Sequence, residues 1–291
     1  MAWPFEQKEI DFVELRKIAH KLARNRLTLP LRMLPDFLLV GAQKSGTSSL
    51  FTYIVQHPHV LSPLVKEIHY FDLHYSCGPN WYREHFRIAV RNRIKGLIGD
   101  HQPITGEASP YYIYHPLVPA RIKELLPHIK LIVLLRNPID RAYSHYHHVL
   151  RKGPTLEPLT FEQAIQSEES RLRGETQRIA TDHSYISLSH QHHSYLNRGI
   201  YADQLERWFK HFAIESFLIL PAEDLFDQPQ SVVYKVFRFL ELPNVEVNNL
   251  RPSNQGKYMP MAPETRAYLS EYYRPHNIRL SDLLGREFDW D

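Results

Sequence analysis

Ten consecutive residues, Gly41-Ala42-Gln43-Lys44-Ser45-Gly46-Thr47-Ser48-Ser49-Leu50, bring together the groups that hold a phosphate. They follow an apolar run, Phe37-Leu38-Leu39-Val40, and lead into a helical segment, so the pattern predicts strand, glycine-bearing turn and helix start. Such a turn gathers backbone N–H groups and the positive end of a helix dipole around one point, where an anion is the natural guest. Gly41 and Gly46 permit the tight path, Lys44 supplies a mobile cation, and Ser45, Thr47 and Ser48 supply hydroxyls. Gly41 and Gly46 have the separation of a Walker A loop, G-x-x-x-x-G-K-[ST], but Thr47 stands where its lysine belongs. The lysine has moved inside the loop. A nucleotide triphosphatase also wants an acidic residue near a second strand tip to hold magnesium. Here the run Leu131-Ile132-Val133-Leu134-Leu135 ends in Arg136-Asn137-Pro138, a cationic tip that suits a second anion and no metal. Asn137 as N-cap with Pro138 at the first helical position starts a helix at once. Ser144, seven residues after Asn137 and so about two turns along, falls on the side of the strand tip, where it can grip one phosphate together with Arg136.

Both phosphate signals need rigid strands behind them. Short apolar runs followed by helical segments predict an α/β fold: a single P-loop-like domain with a central parallel β-sheet flanked by helices. Phe37–Val40 and Lys130–Leu135 read as buried strands, with Phe217-Leu218-Ile219-Leu220 a weaker third. Tyr201, Leu205, Trp208, Phe209 and Phe212 repeat at helical spacing, as do Val232, Val233, Val236, Phe237 and Leu240 before Leu242-Pro243 stops them. Residues 10–34 set Ile10, Val13, Ile18, Leu22 and Leu27 among six basic side chains, which predicts a basic amphipathic helix within an N-terminal extension of residues 1–35. The catalytic domain is expected over residues 36–291, with the polar stretch 153–197 an insertion over the cleft.

Composition fits that scaffold. The 291 residues are 43% apolar and 23% charged, which excludes wholesale disorder and collagen-like chains. Net charge is mild, 35 − 32 = +3, with 18 histidines counted neutral, so nucleic acid is not required as a partner. No run of apolar residues is long enough to span a bilayer, and the first residues do not read as a secretory signal. The single cysteine, Cys77, cannot form an internal disulfide, and a cytoplasmic location is the expectation.

Taken together, these residues resemble the sulfotransferases that use 3′-phosphoadenosine-5′-phosphosulfate (PAPS), in particular the bacterial carbohydrate-type and heparan sulfate branch. Gly41-Ala42-Gln43-Lys44-Ser45-Gly46-Thr47 is similar to that family's 5′-phosphosulfate loop, and Leu134-Leu135-Arg136-Asn137-Pro138 with Arg141-Ala142-Tyr143-Ser144 to its 3′-phosphate motif. Further similar segments are Lys66-Glu67-Ile68-His69-Tyr70-Phe71, Gly106-Glu107-Ala108-Ser109-Pro110-Tyr111, Arg198-Gly199-Ile200-Tyr201, Gln255-Gly256-Lys257-Tyr258 and Leu283-Leu284-Gly285-Arg286-Glu287-Phe288-Asp289-Trp290. The resemblance implies PAPS as co-substrate and 3′-phosphoadenosine-5′-phosphate (PAP) as product, with Gln43, Lys44, Ser45, Gly46, Thr47, Ser48, Arg136, Ser144, Tyr201, Gly256, Lys257 and Tyr258 around the nucleotide. It also implies a small-molecule or glycan acceptor and a catalytic Glu67, with His69 beside it. Relatives acting on heparan sulfate often carry lysine where this chain has Ala108, and secreted relatives often carry a disulfide that Cys77 alone cannot supply; both departures point to a cytoplasmic bacterial-type member.

Sulfuryl transfer builds negative charge on the departing phosphate oxygen, and Lys44 is the cation expected there, with no metal needed. The acceptor must lose a proton, for which Glu67 is the first candidate base, ahead of His69 and Glu107. The clusters His145-x-His147-His148 and His190-x-His192-His193 lack the cysteine or carboxylate partners of a zinc site and are expected to line the acceptor cleft or the surface, with His145 facing the nucleotide. Two other functions fit the phosphate loop: a P-loop nucleoside-phosphate kinase, and a non-catalytic module that binds polyanions.

Overall fold

The computed structural model describes residues 26–88, 102–252, 256 and 258–290. Five parallel strands form one sheet: β1 (Phe37–Gly41), β2 (Val60–Leu61), β3 (Ile104–Glu107), β4 (Lys130–Leu135) and β5 (Phe217–Pro221), in the order β2-β3-β1-β4-β5. After β1 the chain builds toward β3 and β2 on one side and later returns to β4 and β5 on the other. The crevice beyond the carboxyl ends of β1 and its neighbours is therefore a topological switch point, where open α/β sheets bind ligands.

Alternation along β1 and β4 divides the core between the two faces of the sheet. Leu38, Val40, Leu131, Val133 and Leu135 pack with Val118 and Ile122 of α3 (Val118–Leu125) and with Leu205 and Trp208 of α9 (Tyr201–Phe209). Phe37, Leu39, Ile132 and Leu134 pack with Leu50 and Ile54 of α1 (Thr47–Ile54) and with Val232, Val236 and Phe237 of α11 (Pro229–Phe239). The stripes expected to be core are core. Strand β1 is buried at every position, so it reads as an unbroken apolar run.

Residues 153–197 contribute four short helices, α5 (Phe161–Gln166), α6 (Glu168–Leu172), α7 (Glu175–Thr181) and α8 (Leu188–His192). Phe161, Ala164, Ile165 and Tyr195 pack on Ile139, Ala142 and Val149 of α4 (Pro138–Lys152) and on Leu269 and Tyr273 of α12 (Pro263–Leu284). The remaining helices are α2 (Gly78–Arg83) and α10 (Ala222–Asp227). Of the expected amphipathic helix over residues 10–34, the part before residue 26 lies outside the described residues. Arg26–Leu31 is a short 3-10 helix, kinked at Thr28 and carrying Pro30, because proline removes the N–H that a continuing α-helix needs. Among the described residues, no helix is long and apolar enough to cross a membrane.

Candidate active site

The expected succession of strand, glycine-bearing turn and helix start forms at the end of β1. Gly46 takes φ 90°, a left-handed conformation that favours glycine, and caps α1 without any side-chain capping bond. The first turn of α1 thus has no side-chain cap, and an uncapped helix start is the arrangement that recruits an anion. Lys44 also lies in the left-handed region, at φ 73°. A non-glycine residue there stores about 1–3 kcal/mol of strain and persists where its surroundings hold it. Arg136 is part of that hold, donating from Nη1 to the Lys44 carbonyl at 3.0 Å. The hydroxyls divide: Ser45 and Thr47 are buried, whereas Ser48 is half-buried and accepts from Lys66 Nζ at 2.7 Å. Gln43 Oε1 accepts from the fully buried Arg198, which stacks its guanidinium against Tyr111 and Tyr114.

At the β4 tip Asn137 caps α4 through bonds from the N–H groups of Ile139 and Asp140, with Pro138 at the first helical position. Arg136, at the strand end, is half-buried over the Phe226 ring, and Ser144, two turns into α4, is buried. Tyr201 is buried and donates to the Arg136 carbonyl at 2.8 Å, so its contribution is to fix the strand tip. Glu223 and the chain's closing segment reinforce the tip: Asn137 N donates to Glu223 Oε1, Asn137 Nδ2 to the Trp290 carbonyl, and Trp290 Nε1 to Glu223 Oε2. Sequence alone did not single out Glu223, whose partners lie 67 and 86 residues away.

The Lys66–Asp72 segment carries alternating charges. Lys66 Nζ lies 2.6 Å from Glu67 Oε1, Glu67 Oε2 lies 3.4 Å from His69 Nε2, and His69 Nδ1 lies 2.7 Å from Asp72 Oδ2. Burial alone would raise the Glu67 pKa, but the Lys66 ammonium and His69 outweigh it and hold the carboxyl at about 2. Burial would likewise lower the His69 pKa, yet Asp72 and Glu67 outweigh it and hold the imidazole well above its ordinary value. The Glu67 carboxyl is thus favoured ionised and the His69 imidazole favoured protonated. Glu67 and His69 meet as their spacing implied, but the backbone is not extended there: His69 has φ 54°. Asp72, whose carboxylate is fully buried, went unnoticed in sequence because nothing but its three-residue offset from His69 marks it.

Glu107 holds this segment from behind. Its Oε1 accepts from Tyr82 and Tyr112 hydroxyls at 3.0 and 2.8 Å, and its Oε2 from Ser109 Oγ and Ile68 N at 2.7 and 3.2 Å. Ser109 Oγ in turn accepts from His69 N, Tyr112 OH from Tyr70 N, and Lys66 O from Ala108 N. Burial pushes the Glu107 pKa up while these donors oppose it. With no exposed surface and every lone-pair direction facing a donor, Glu107 cannot serve as the alternative base; it is a scaffold. Glu107→Gln turns an amide NH₂ toward donors, so the expected outcome is a loss of about 1–3 kcal/mol of unfolding free energy. Denaturant titration measures it, and unchanged stability would show that the carboxylate does not anchor the segment.

The histidines separate by environment. His145 is buried against Tyr195 with neither ring nitrogen hydrogen-bonded, so it does not face the nucleotide; burial, with nearby Arg198 and Arg141, pushes its pKa well down and keeps it neutral. His190 is likewise interior, bonded to Tyr111 OH and stacked on Tyr114. His148 is held at about 3 by burial and by the charges of Lys44, Lys152 and Arg151, with Glu67 acting in the opposite sense. In the segment 255–258 Gly256 is exposed and Tyr258 stacks on His147 at 4.2 Å, against α4; Gln255 and Lys257 lie outside the described residues.

A parallel sheet thus carries a glycine-bearing loop at its switch point, with the cationic β4 tip on one side of it and the acid-base row, tied to the end of β3, on the other, a layout that fits a sulfotransferase. Residues 34–257 match the family described as a sulfotransferase domain, and the chain belongs to that family. It is 29% identical over 324 residues to the membrane-associated sulfotransferase kil1 of Dictyostelium discoideum, covering 89% of this chain and 67% of that protein. It is 30% identical over 287 residues to human heparan sulfate glucosamine 3-O-sulfotransferase 3B1, covering 89% and 66%. The chain thus spans about two thirds of the length of these two relatives. Among solved structures it resembles a sulfotransferase from Alicyclobacillus acidocaldarius, with TM-score 0.66 and 30% identity over 88% of this chain and 98% of that one.

Proposed function

We propose that this sulfotransferase moves a sulfuryl group from PAPS to a carbohydrate hydroxyl, with Lys44 beside the leaving phosphate and Glu67 as base. The observation that carries the reading is the pair of neighbouring strand tips: an uncapped helix start with Lys44 after β1, and Arg136 with Ser144 after β4. A nucleotide with two phosphate groups matches cations offered from two strand tips, Lys44 in the loop after β1 and Arg136 at the end of β4, whose Nη1 sits on the Lys44 carbonyl, and cations rather than a metal-binding carboxylate favour transfer without a bound metal. A carbohydrate acceptor is favoured by the likeness to the heparan sulfate glucosamine 3-O-sulfotransferases.

In the transfer, Glu67 accepts the proton of the attacking hydroxyl. His69, fixed by Asp72, orients Glu67, and Lys44 meets the charge developing on the 5′-phosphate oxygen. Titration calorimetry with PAP in EDTA is expected to show binding, and ATP with magnesium little. A strict magnesium requirement, or preference for ATP, would return the chain to the kinase reading.

A further inference from the structure

Lys66 spans the two halves of the site. Its ammonium donates to Ser48 Oγ, in the first turn of α1, at 2.7 Å, and to Glu67 Oε1 at 2.6 Å. An ammonium has three N–H bonds, and these contacts account for two of them. One cation therefore touches both the hydroxyl on the donor side and the carboxylate on the acceptor side. A sulfuryl group that leaves a nucleotide seated on the phosphate loop for an oxygen held by Glu67 must pass between those two groups. Its three oxygens carry negative charge throughout that passage.

We propose that Lys66 is a catalytic residue whose ammonium binds the oxygens of the sulfuryl group in flight. This inference rests on the sulfuryl-transfer reading above. The acceptor oxygen attacks sulfur as its proton passes to Glu67. The new O–S bond forms while the S–O bond to the 5′-phosphate breaks, and the electron pair of the broken bond stays on that phosphate oxygen. Lys66 gives up no proton and nothing is oxidised or reduced; it neutralises charge on the moving group. Turning toward those oxygens also takes the ammonium away from Glu67, which otherwise holds the carboxylate a poor base. Base strength then rises only when the donor is loaded.

Lys66→Met and Lys66→Arg, assayed with radiolabelled PAPS on unsulfated heparosan, N-sulfated heparosan and chondroitin, test the role. For Lys66→Met the expected loss is about 10²–10³-fold in kcat, the scale of removing one transition-state donor. PAP has no sulfuryl group, so its affinity by calorimetry should stay unchanged, which also confirms folding, and Lys66→Arg should restore part of the rate. Carboxyl NMR of ligand-free Lys66→Met should show the Glu67 pKa rising, so a stronger base accompanies a slower enzyme. If Lys66 only tempers Glu67, Lys66→Met will match or exceed the wild-type kcat and its acidic limb will move to higher pH, and the proposal fails. Loss of PAP affinity in step with kcat would make Lys66 a nucleotide-binding residue and equally overturn it. Wild-type protein that transfers sulfuryl to none of these acceptors removes the carbohydrate-acceptor reading on which the test rests, whereas active wild type with unimpaired Lys66→Met removes only Lys66.

Discussion

Replacing Glu67 by glutamine is expected to leave PAP affinity intact and to lower sulfuryl transfer by about 10²–10⁴-fold, the usual contribution of a positioned base. Glutamine keeps the size of the side chain and an oxygen toward Lys66, but it cannot take a proton. Wild-type Glu67 is the better candidate than His69 because His69 already carries its proton at neutral pH, clamped between Asp72 and Glu67. The same substitution has a signature in stability. Glu67 is depressed from 4.5 to about 2 on folding, so its ionised form stabilises the protein above the unfolded value, and that contribution is lost as pH falls toward 2. The wild type's advantage in Tm over Glu67→Gln should be present near neutral pH and vanish in strong acid. His69 has the opposite sign, stabilising fully below its unfolded value of 6.5 and less as pH rises through its elevated folded value. Full activity of Glu67→Gln alongside an inactive His69→Ala would move the base to His69.

The parts of this site legible in the sequence are those in which neighbouring residues act together. The phosphate loop is ten contiguous residues after a buried strand, and the cap at Asn137 follows from its own side chain and Pro138. Strands β2 and β3 were not legible, since one has two residues and the other, Ile-Thr-Gly-Glu, carries little apolar signal. The support of the Lys66–Asp72 segment was hidden for a different reason. Tyr82 reaches Glu107 from 25 residues away and Arg198 reaches Gln43 from 155, and no local pattern encodes such pairs. His145 shows the limit from the other side: its place after Ser144 implied the nucleotide, but consecutive helical residues point about 100° apart, so one can face the crevice and the next the core.

Lys44→Ala should be the most damaging change in the phosphate loop, lowering kcat by about 10²–10³-fold while weakening PAP far less, because a preorganised cation contributes most where charge develops in the transition state. Two features of the structure shape the test. Lys44 sits in the left-handed region, so alanine there inherits the strain that lysine bears, and a disturbed loop could imitate a lost charge. Lys44→Asn separates the two effects, since asparagine tolerates that conformation and is also uncharged; both variants should show the same kcat loss. The second feature is His148, whose pKa of about 3 is held down by burial and then by Lys44, Lys152 and Arg151. Removing the Lys44 charge should therefore raise the His148 pKa, read by NMR without any substrate. A raised His148 pKa with kcat unchanged would place the Lys44 cation in the cleft and yet show that the leaving phosphate does not depend on it. A kcat loss in Lys44→Ala that Lys44→Asn does not share would assign the defect to the loop backbone instead of the charge.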